Sequence, residues 1–394
     1  MSDHDVVIVS AQRTPIGAFQ GVFAPVSATQ LGSAAIKAAV EAAGIKAADI
    51  QEVIMGNVLP AGLGQAPARQ AAMGAGVPVG TPAVTINKMC GSALKAVMLA
   101  ADQIRTGDVE IALAGGLESM TNAPYLLPKA RSGYRMGHGE ILDHMFYDGL
   151  NSAWDGKPMG CFADATAAKY NFTRAQQDAF AAESVRRAMR ALEAGEFDRE
   201  VTPVTVKTRK GDVVVSRDET PATCNIEKIP SLKPAFGKDG TVTAASSSSI
   251  SDGAAALVLM SSAVAKARGL KPLARILAYS SFSQEPEWFT TAPVGAIKKT
   301  LSKLGWRPHD ADLYEINEAF AAVTMAAMRD VDIDHGRVNV NGGACALGHP
   351  IGATGARILT TLIHALHRRG GKRGIASLCI GGGEAVALAV EVGA

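Results

Sequence analysis

The feature that most constrains the fold of this 394-residue chain is an internal repeat at a nearly constant spacing. A helical pattern, a glycine stop, an apolar strand and an asparagine follow one another over residues 31–57, and again over residues 293–317. A second helix and strand, at residues 91–116, is matched at residues 352–382. The offsets, 293 − 31 = 262 and 352 − 91 = 261, agree to within one residue. We therefore predict two duplicated α/β halves.

In both halves, apolar runs such as residues 6–9 and 111–114 alternate with helical patterns, which predicts central strands covered by helices on their faces. The sequence between the halves is rich in turns and includes one predicted helix, which begins at a capping box of Thr173 and Gln176 and stops at Gly195. We interpret this part as an inserted loop domain. The predicted division is residues 1–120 plus 245–270, residues 121–244, and residues 271–394.

Composition excludes several classes of function. With 39 basic and 37 acidic residues the net charge is only +2, so we expect no binding to nucleic acid or to membranes. Five cysteines without paired spacing argue against a disulfide framework and against a zinc site. The N-terminal residues show no export pattern, and glycines and glutamates interrupt the apolar stretch at residues 375–392. We expect a cytoplasmic protein that holds no metal.

Cys90 lies in the segment Asn-Lys-Met-Cys-Gly-Ser, directly before a helical stripe that includes Leu94, Val97 and Met98. This places its sulfur at the N-terminus of a helix, where free N–H groups and the helix dipole favour the reactive thiolate. A buried cysteine with a purely structural role is the alternative. The flanking glycine and the position before the helix favour a nucleophile.

His349 lies in the glycine-rich run of residues 341–355, which is too rich in glycine for an ordinary helix. The residue after it, Pro350, suits the first position of a helix, so we expect the imidazole to be held where that helix begins. A histidine in such a place can take a proton from a neighbouring thiol.

Cys379 ends an apolar strand and is followed by Ile380 and three glycines, whose exposed amides can approach an oxyanion. Asn317 ends the equivalent strand of the repeat, where it can orient a water molecule or act only as a common strand-end residue. Taken together, these residues indicate a nucleophile, a base and a second acid/base group.

Four segments in this order resemble the signatures of the thiolase family, specifically its acetyl-CoA acetyltransferase branch. They are residues 87–92, the Asn-Glu-Ala-Phe run at 317–320, the Gly-His-Pro-Ile-Gly run at 348–352, and the Cys-Ile-Gly-Gly-Gly run at 379–383. The resemblance spans nearly the whole chain. It implies an α/β fold in which the two halves form a five-layered αβαβα arrangement, and it implies a homotetramer built through a loop at residues 119–134.

The same resemblance implies a two-step acyl transfer. Cys90 attacks an acyl-CoA after His349 takes its proton, and Cys379 then removes the α-proton of a second acetyl-CoA. His349 and a water held by Asn317 would stabilise the enolate, and the backbone amides of Cys90 and Gly381 would stabilise the tetrahedral intermediate. Acetyl-CoA, acetoacetyl-CoA and CoA are the implied substrates and products, with no further cofactor.

By resemblance, the CoA arm passes an apolar wall in which Ser248 contacts an amide of the arm. The implied binding residues are Leu150, Met159, Phe236, Ala244, Ser248, Phe289 and Phe320. Four features depart from many members: Pro158 replaces a histidine, Phe289 replaces a methionine, Ser246 replaces an asparagine, and the segment 221–223 lacks an arginine beside the adenosine.

The nearest alternative is a degradative 3-ketoacyl-CoA thiolase that accepts longer chains, because the chemistry is shared and pocket shape alone decides. A β-ketoacyl synthase is disfavoured, since such a site has no use for Cys379. A different class of alternative is a catalytically silent CoA-binding protein. No Gly-Lys-Ser/Thr phosphate-binding loop is present, which argues against a nucleotide site.

Overall fold

A computed structural model describes residues 5–393 of the chain. The α-helices within this range are α1 (Ala28–Ala43), α2 (Pro67–Gly74), α3 (Ser92–Thr106), α4 (Met159–Tyr170), α5 (Arg174–Glu193), α6 (Ser262–Ala267), α7 (Ala292–Leu304), α8 (Ala321–Val331), α9 (Ala344–Leu347) and α10 (Thr354–Arg369).

The strands in the same range are β1 (Val6–Arg13), β2 (Gly17–Ala18), β3 (Glu52–Gly56), β4 (Ala83–Ile86), β5 (Ile111–Ser119), β6 (Tyr125–Leu126), β7 (Leu142–Asp143), β8 (Val204–Thr208), β9 (Gly211–Val215), β10 (Ser251–Ser261), β11 (Ala274–Ser283), β12 (Leu313–Ile316), β13 (Arg373–Ile380) and β14 (Glu384–Glu391).

Ten of these strands pair into one continuous sheet made of two portions of similar topology, here called the first and the second sheet, which join through β1 and β11. The first has the order β4-β3-β5-β10-β1 and the second the order β12-β13-β14-β11, with β2 paired to β10. Antiparallel pairing of Val7 with Arg275 and of Ile8 with Ala274 joins β1 to β11. Each half contains an equivalent parallel pair, β3 with β5 and β12 with β13, while β10 and β14 run antiparallel to these strands.

The helices form three layers around the sheets. Helices α1 and α2 cover the outer face of the first sheet, and α7 and α8 cover the second. Helices α3 and α10 pack against each other and against strands of both halves, so they form a shared central layer whose apolar core includes Leu94, Val97, Leu359 and Leu362. The predicted five-layered αβαβα arrangement is confirmed.

Equivalent helices of the two halves end in the same way. Helices α1 and α7 stop at Gly44 and Gly305, and α3 and α10 stop at Gly107 and Gly370, all four in the left-handed conformation that glycine adopts without strain. Because helix, glycine, strand and asparagine recur as the sequence pattern predicts, the duplication is confirmed.

The inserted segment is more ordered than the sequence indicates. Helix α5 has the predicted capping box, in which Thr173 and Gln176 exchange hydrogen bonds, and the left-handed Gly195 follows it. Helix α4 was not predicted, because its apolar residues do not form one clear stripe. Two short hairpins, β6–β7 and β8–β9, complete this part.

No helix within residues 5–393 combines the length and the apolar character needed to cross a membrane. The same residues contain no group of three or more His, Cys, Asp and Glu side chains placed to hold a metal ion.

Candidate active site

A tight turn holds Cys90 just before α3. Met89 has a positive φ of 45°, the amide of Lys88 donates to Ser92 Oγ at 2.8 Å, and Ser92 Oγ donates to the Met89 carbonyl at 2.6 Å. The strained Met89 backbone turns the chain sharply at this point. The Lys88 ammonium also pairs with Glu384 at 2.7 Å, which ties the turn to the second half of the molecule.

The expectation that the helix N-terminus favours a Cys90 thiolate is wrong for the resting site. Burial raises the pKa of Cys90 to about 11, although the backbone amides of Gly381 and of Cys90 itself lower it. Removal from water therefore outweighs the local N–H groups. Cys90 rests as a thiol and needs a base when it reacts.

The imidazole of His349 is held in one orientation. Its backbone amide donates to the Ser249 carbonyl at 3.1 Å, and Nδ1 lies 2.6 Å from Thr354 Oγ1. The Thr354 hydroxyl donates its only proton to the Pro350 carbonyl at 2.9 Å, so it accepts from Nδ1–H. This leaves the lone pair on Nε2, which lies 3.5 Å from Nδ2 of Asn317.

Burial lowers the pKa of His349 to about 3, and the nearby Arg357 guanidinium adds to this effect. The ring is therefore neutral at physiological pH and can act as a base. Helix α10 begins at Thr354, four residues after the predicted start at Pro350. The Pro350 carbonyl already accepts from the Ala353 and Thr354 amides, so residues 350–353 form a turn that leads into the helix. The Gly352 amide has no acceptor within the helix at this position and donates to Glu118 instead.

Cys379 lies next to the end of β13 and is fully buried. Burial raises the pKa of its thiol well above the ordinary range, and the nearby Cys90 adds to the effect. Beyond it, the backbone amide of Gly381 lies close enough to the Cys90 sulfur to lower the pKa of that thiol. Gly382 and Gly383 have φ values of 99° and 90°, which only glycine adopts readily. The structure thus brings Cys90 of one half beside Cys379 and Gly381 of the other.

Asn317 follows β12, and its amide donates to the Ser377 carbonyl of the neighbouring strand at 3.0 Å. Its side chain is buried, with Nδ2 directed at His349. The carbonyl oxygen Oδ1 accepts no hydrogen bond from residues 5–393. A buried amide with one unused acceptor is suited to orient a water molecule or a substrate.

The next residue, Glu318, was part of the family signature but was assigned no role. Its buried carboxylate accepts from Ser184 Oγ at 2.6 Å, from Asn339 Nδ2 at 2.8 Å and from the Cys345 amide at 3.1 Å. These contacts hold the Asn317 segment against the loop that leads to His349. The sequence signal that could have identified Glu318 is a charged residue directly beside a candidate catalytic asparagine.

Two apolar clusters line the site. One contains Cys379 together with the predicted binding residues Met159, Phe236, Phe289 and Phe320. In it, the Phe236 and Phe320 rings meet edge to face at 5.9 Å, and Phe289 meets Phe162 in the same way at 6.1 Å. The other cluster places Leu150 beside Cys90.

The remaining predicted binding residues lie outside these clusters. The amide of Ser248 donates to the Ala319 carbonyl at 2.9 Å, so Ser248 lies next to the Asn317 segment. Ala244 is exposed. The structure therefore places six of the seven implied binding residues in, or directly beside, the segments that surround the two cysteines, and leaves Ala244 at the surface.

Comparison with known proteins agrees with this geometry. Residues 6–263 match the family description "Thiolase, N-terminal domain", and residues 270–392 match "Thiolase, C-terminal domain". Proteins named acetyl-CoA acetyltransferase from Pseudomonas aeruginosa and Escherichia coli are 53% and 51% identical to the chain, each over 98% of both sequences.

Two solved structures are also similar. The crystal structure of the acetyl-CoA acetyltransferase of Bacillus anthracis has a TM-score of 0.97, with 45% identity over 99% of both chains. A thiolase from Ascaris suum in complex with coenzyme A has a TM-score of 0.94, with 44% identity over 98% of this chain and 100% of its own. The chain belongs to the thiolase family.

Proposed function

We propose that this protein is an acetyl-CoA C-acetyltransferase, which condenses two acetyl-CoA molecules to acetoacetyl-CoA and CoA and catalyses the reverse thiolysis. The observation that carries the proposal is that Cys90 lies close to Cys379 and Gly381 of the other half and shares an apolar cluster with Ile351, two residues after His349. Two thiols and one neutral imidazole are the groups that a two-step acyl transfer requires.

In the first half-reaction, His349 Nε2 takes the proton of Cys90 as the sulfur attacks the acetyl-CoA carbonyl. The amides of Cys90 and Gly381 stabilise the negative charge on the tetrahedral oxygen. When the thioester bond breaks, Cys379 gives its proton to the departing CoA thiolate. The site then holds an acetyl-Cys90 thioester, a protonated His349 and a Cys379 thiolate.

In the second half-reaction, the Cys379 thiolate takes an α-proton from a second acetyl-CoA. His349 and a water held by Asn317 stabilise the enolate oxygen. The enolate carbon attacks the acetyl group on Cys90, and the released Cys90 sulfur takes the proton back from His349, so protons balance over the cycle. Because burial lowers the pKa of His349, the ring keeps its proton only while an anion lies beside it.

Substrate binding follows from the two apolar clusters. We assign Leu150, Met159, Phe236, Phe289 and Phe320 to the walls along the pantetheine arm and the acyl group, with Ser248 and Ala244 on the path to the surface. Apolar walls with few polar contacts suit a long flexible arm. Phe289 is only 3% exposed, and its bulk limits the acyl group to a short chain.

We further infer a homotetramer. The segment that contains β6 and β7 exposes apolar side chains, among them Tyr125 at 68%, Met136 at 97% and Ile141 at 62%. Edge strand β4 exposes Val84. Such surfaces are typical of contacts between subunits. Light scattering after size exclusion tests the assembly, and Met136→Asp should shift it to a smaller species.

A cytoplasmic location is part of the proposal. Its support is the set of five free thiols in the described residues, Cys90, Cys161, Cys224, Cys345 and Cys379, which a reducing compartment maintains. No cofactor is needed, because the proposed steps use only the side chains of the chain and CoA thioesters.

A substrate-length series in the thiolysis direction tests the proposed function. We expect kcat/KM to be highest for acetoacetyl-CoA and to fall by about 10-fold or more for 3-ketohexanoyl-CoA, because each added methylene must fit against Phe289. The Phe289→Ala variant should reduce this preference. Faster turnover of the longer substrate by the wild type would identify a degradative 3-ketoacyl-CoA thiolase instead. Absence of any thiolysis would identify a silent CoA-binding protein.

A further inference from the structure

One fully buried carboxylate beside the site has no part in the steps above. Glu118 is the next-to-last residue of β5 and is inaccessible to solvent. Its Oε1 accepts from Asn57 Nδ2 at 2.7 Å and from the Leu59 amide at 3.2 Å. Its Oε2 accepts from the Val58 amide at 2.9 Å and from the Gly352 amide, also at 2.9 Å. Four donors from two distant segments thus converge on one side chain.

The two segments that Glu118 joins belong to the opposite sides of the reaction. Val58 and Leu59 pack in the same apolar cluster as Cys90, and the Val58 carbonyl accepts from Asn87, three residues before Cys90. Gly352 lies three residues after His349, in the turn before α10. Glu118 is therefore a direct connection between the surroundings of the nucleophile and the turn that carries the base.

The contact with Gly352 leaves no room for adjustment. A Cβ atom at this position would lie 2.6 Å from Glu118 Oε2 and 2.9 Å from the Asn57 Cα atom. The backbone of the His349 turn thus lies directly against the carboxylate. A small shift of the Glu118 side chain must move the turn with it, because packed interiors do not deform freely.

The position of Glu118 repeats that of Cys379. In the first half Gly56 pairs with Gly116, and in the second half Ile316 pairs with Ser377. Two residues further along each inner strand, 116 + 2 = 118 and 377 + 2 = 379, stand Glu118 and Cys379. One residue beyond the partner strands stand Asn57 and Asn317. The duplicated scaffold therefore has two equivalent positions, each next to an asparagine. The position in the first half carries the Glu118 carboxylate, and the position in the second half carries the Cys379 thiol.

We propose that Glu118 is a positioning residue for acetyl transfer, whose carboxylate holds the His349 turn against the loop beside Cys90 and so fixes the distance between base and nucleophile. The inference rests on the proposed function. All four partners are N–H donors, so only a side chain with acceptors on both arms satisfies them. An unpaired donor in this buried place would shift the backbone until it found a partner.

The Glu118→Gln variant tests the proposal. In the variant, the amide nitrogen of the glutamine replaces one carboxylate oxygen and would face two N–H donors. The remaining oxygen would still accept from the other two. We expect kcat to fall about 10- to 100-fold, as for a misplacement of the order of 1 Å, with KM for acetyl-CoA nearly unchanged. The rate of Cys90 acetylation, followed by mass spectrometry, should fall equally. Glu110→Gln, an exposed residue just before β5, is the matched control and should behave as the wild type.

A second substitution distinguishes positioning from folding. In Asn57→Asp combined with Glu118→Gln, the carboxylate introduced at position 57 accepts from the amide introduced at position 118, which restores this one contact at the same net charge. The Leu59 amide and the Leu117 carbonyl stay without their partners, so the recovery is partial. We expect the double variant to regain at least about threefold in kcat over Glu118→Gln, whereas Asn57→Asp alone, with two facing carboxylates, should be slower than the double variant. A protein that needs Glu118 only for stability would show changes in melting temperature without this reversal in kcat.

Several results would overturn the inference: kcat of Glu118→Gln within about twofold of the wild type, a loss explained wholly by unfolded protein, or losses that simply add in the double variant. If Glu118→Gln does not fold, Glu118→Asp keeps the charge but shortens the reach, and an unchanged acetylation rate in it would count against the inference. A wild type that forms no acetyl-Cys90 would instead reject the proposed function, so the two failures are distinguishable.

Discussion

The two halves of this molecule carry different side chains at the same place in the same scaffold. Asn57 and Glu118 stand at the ends of β3 and β5, and Asn317 and Cys379 stand at the ends of β12 and β13. In the first half, Asn57 Nδ2 and three backbone amides occupy both oxygens of the carboxylate. In the second half, Asn317 Nδ2 is directed at His349 instead, and Cys379 lies beside Cys90.

The difference teaches how a duplicated fold produces one active site rather than two. A carboxylate with four donors is held rigidly and has no acceptor left for a reacting group. A thiol of raised pKa, with an asparagine and an imidazole close by, can take and release a proton. In the proposed mechanism, the first half thus supplies the nucleophile and a fixed frame, and the second half supplies the groups that move protons.

Removal of the nucleophile from the first half should have the largest effect on the reaction rate. Cys90→Ala should abolish acetyl-enzyme formation and lower both reaction directions by at least about 10⁴-fold, because no other thiol is placed to attack the thioester. Mass spectrometry after incubation with acetyl-CoA measures the adduct. Cys224→Ala removes another partly accessible thiol and should leave the adduct in place. An acetylated peptide in the Cys90→Ala protein would break the assignment.

Removal of the proton-transfer group from the second half should have a different signature. Cys379→Ser should still acetylate Cys90 at a reduced rate, but condensation should fall by about 10³-fold, because a serine hydroxyl is a far weaker acid than a thiol and rarely supplies the anionic base. Single-turnover acetylation and steady-state condensation, measured on the same preparation, separate the two steps. If the variant lost both to the same extent, the two cysteines would not have separate roles.

Much of this division could be predicted from the sequence, because it depends on local order along the chain. The repeat spacing indicated both halves, and a cysteine before a helical stripe or an asparagine after an apolar strand is visible in short segments such as those around Cys90 and Asn317. In the structure, Cys90 lies just before α3 and Asn317 lies directly after β12, as these local patterns predict.

The parts that could not be predicted depend on contacts between distant segments. In the sequence, Glu118 is one charge in an apolar strand, and its partner Gly352 is 234 residues away. The protonated state of Cys90 follows from burial by both halves, which a helix-dipole argument does not contain. The orientation of His349 is an exception, because it depends on Thr354 only five residues away, but that contact follows from the geometry of the turn at residues 350–353 rather than from a residue pattern.

The two asparagines offer the sharpest comparison of the halves. Asn317→Ala should lower kcat by about 10²-fold, as expected when one donor beside a developing oxyanion is removed. Asn57→Ala should lower kcat by about tenfold at most and should destabilise the protein by roughly 1–3 kcal/mol, because it leaves Glu118 without one buried partner. Thermal unfolding and steady-state kinetics of both variants check this contrast. Equal kinetic losses would show that the halves are not differentiated in this way.

The smallest expected effect is a pH dependence that belongs to Glu118. Burial raises the pKa of Glu118 to about 7 and the charge of Asp252 on β10 adds to this, while the amides of Val58, Leu59 and Gly352 lower it. Protonation below that pH puts an O–H against N–H donors, so the hold on Gly352 weakens as the pH falls. The pKa values of His349, about 3, and of Cys90, about 11, lie outside this range.

The rate of Cys90 acetylation should therefore fall by about threefold between pH 7.5 and pH 6.5 in the wild type, as expected for one group that titrates near 7. A short thioester without phosphate groups, S-acetyl-N-acetylcysteamine, is the suitable probe, because neither the probe nor the two reacting side chains titrate in this interval. Glu118→Gln, which has no carboxyl group to protonate, should be slower throughout but flat across the interval. If the variant kept the wild-type slope, another group would control the acid limb, and the carboxylate of the first half would have to be regarded as structural only.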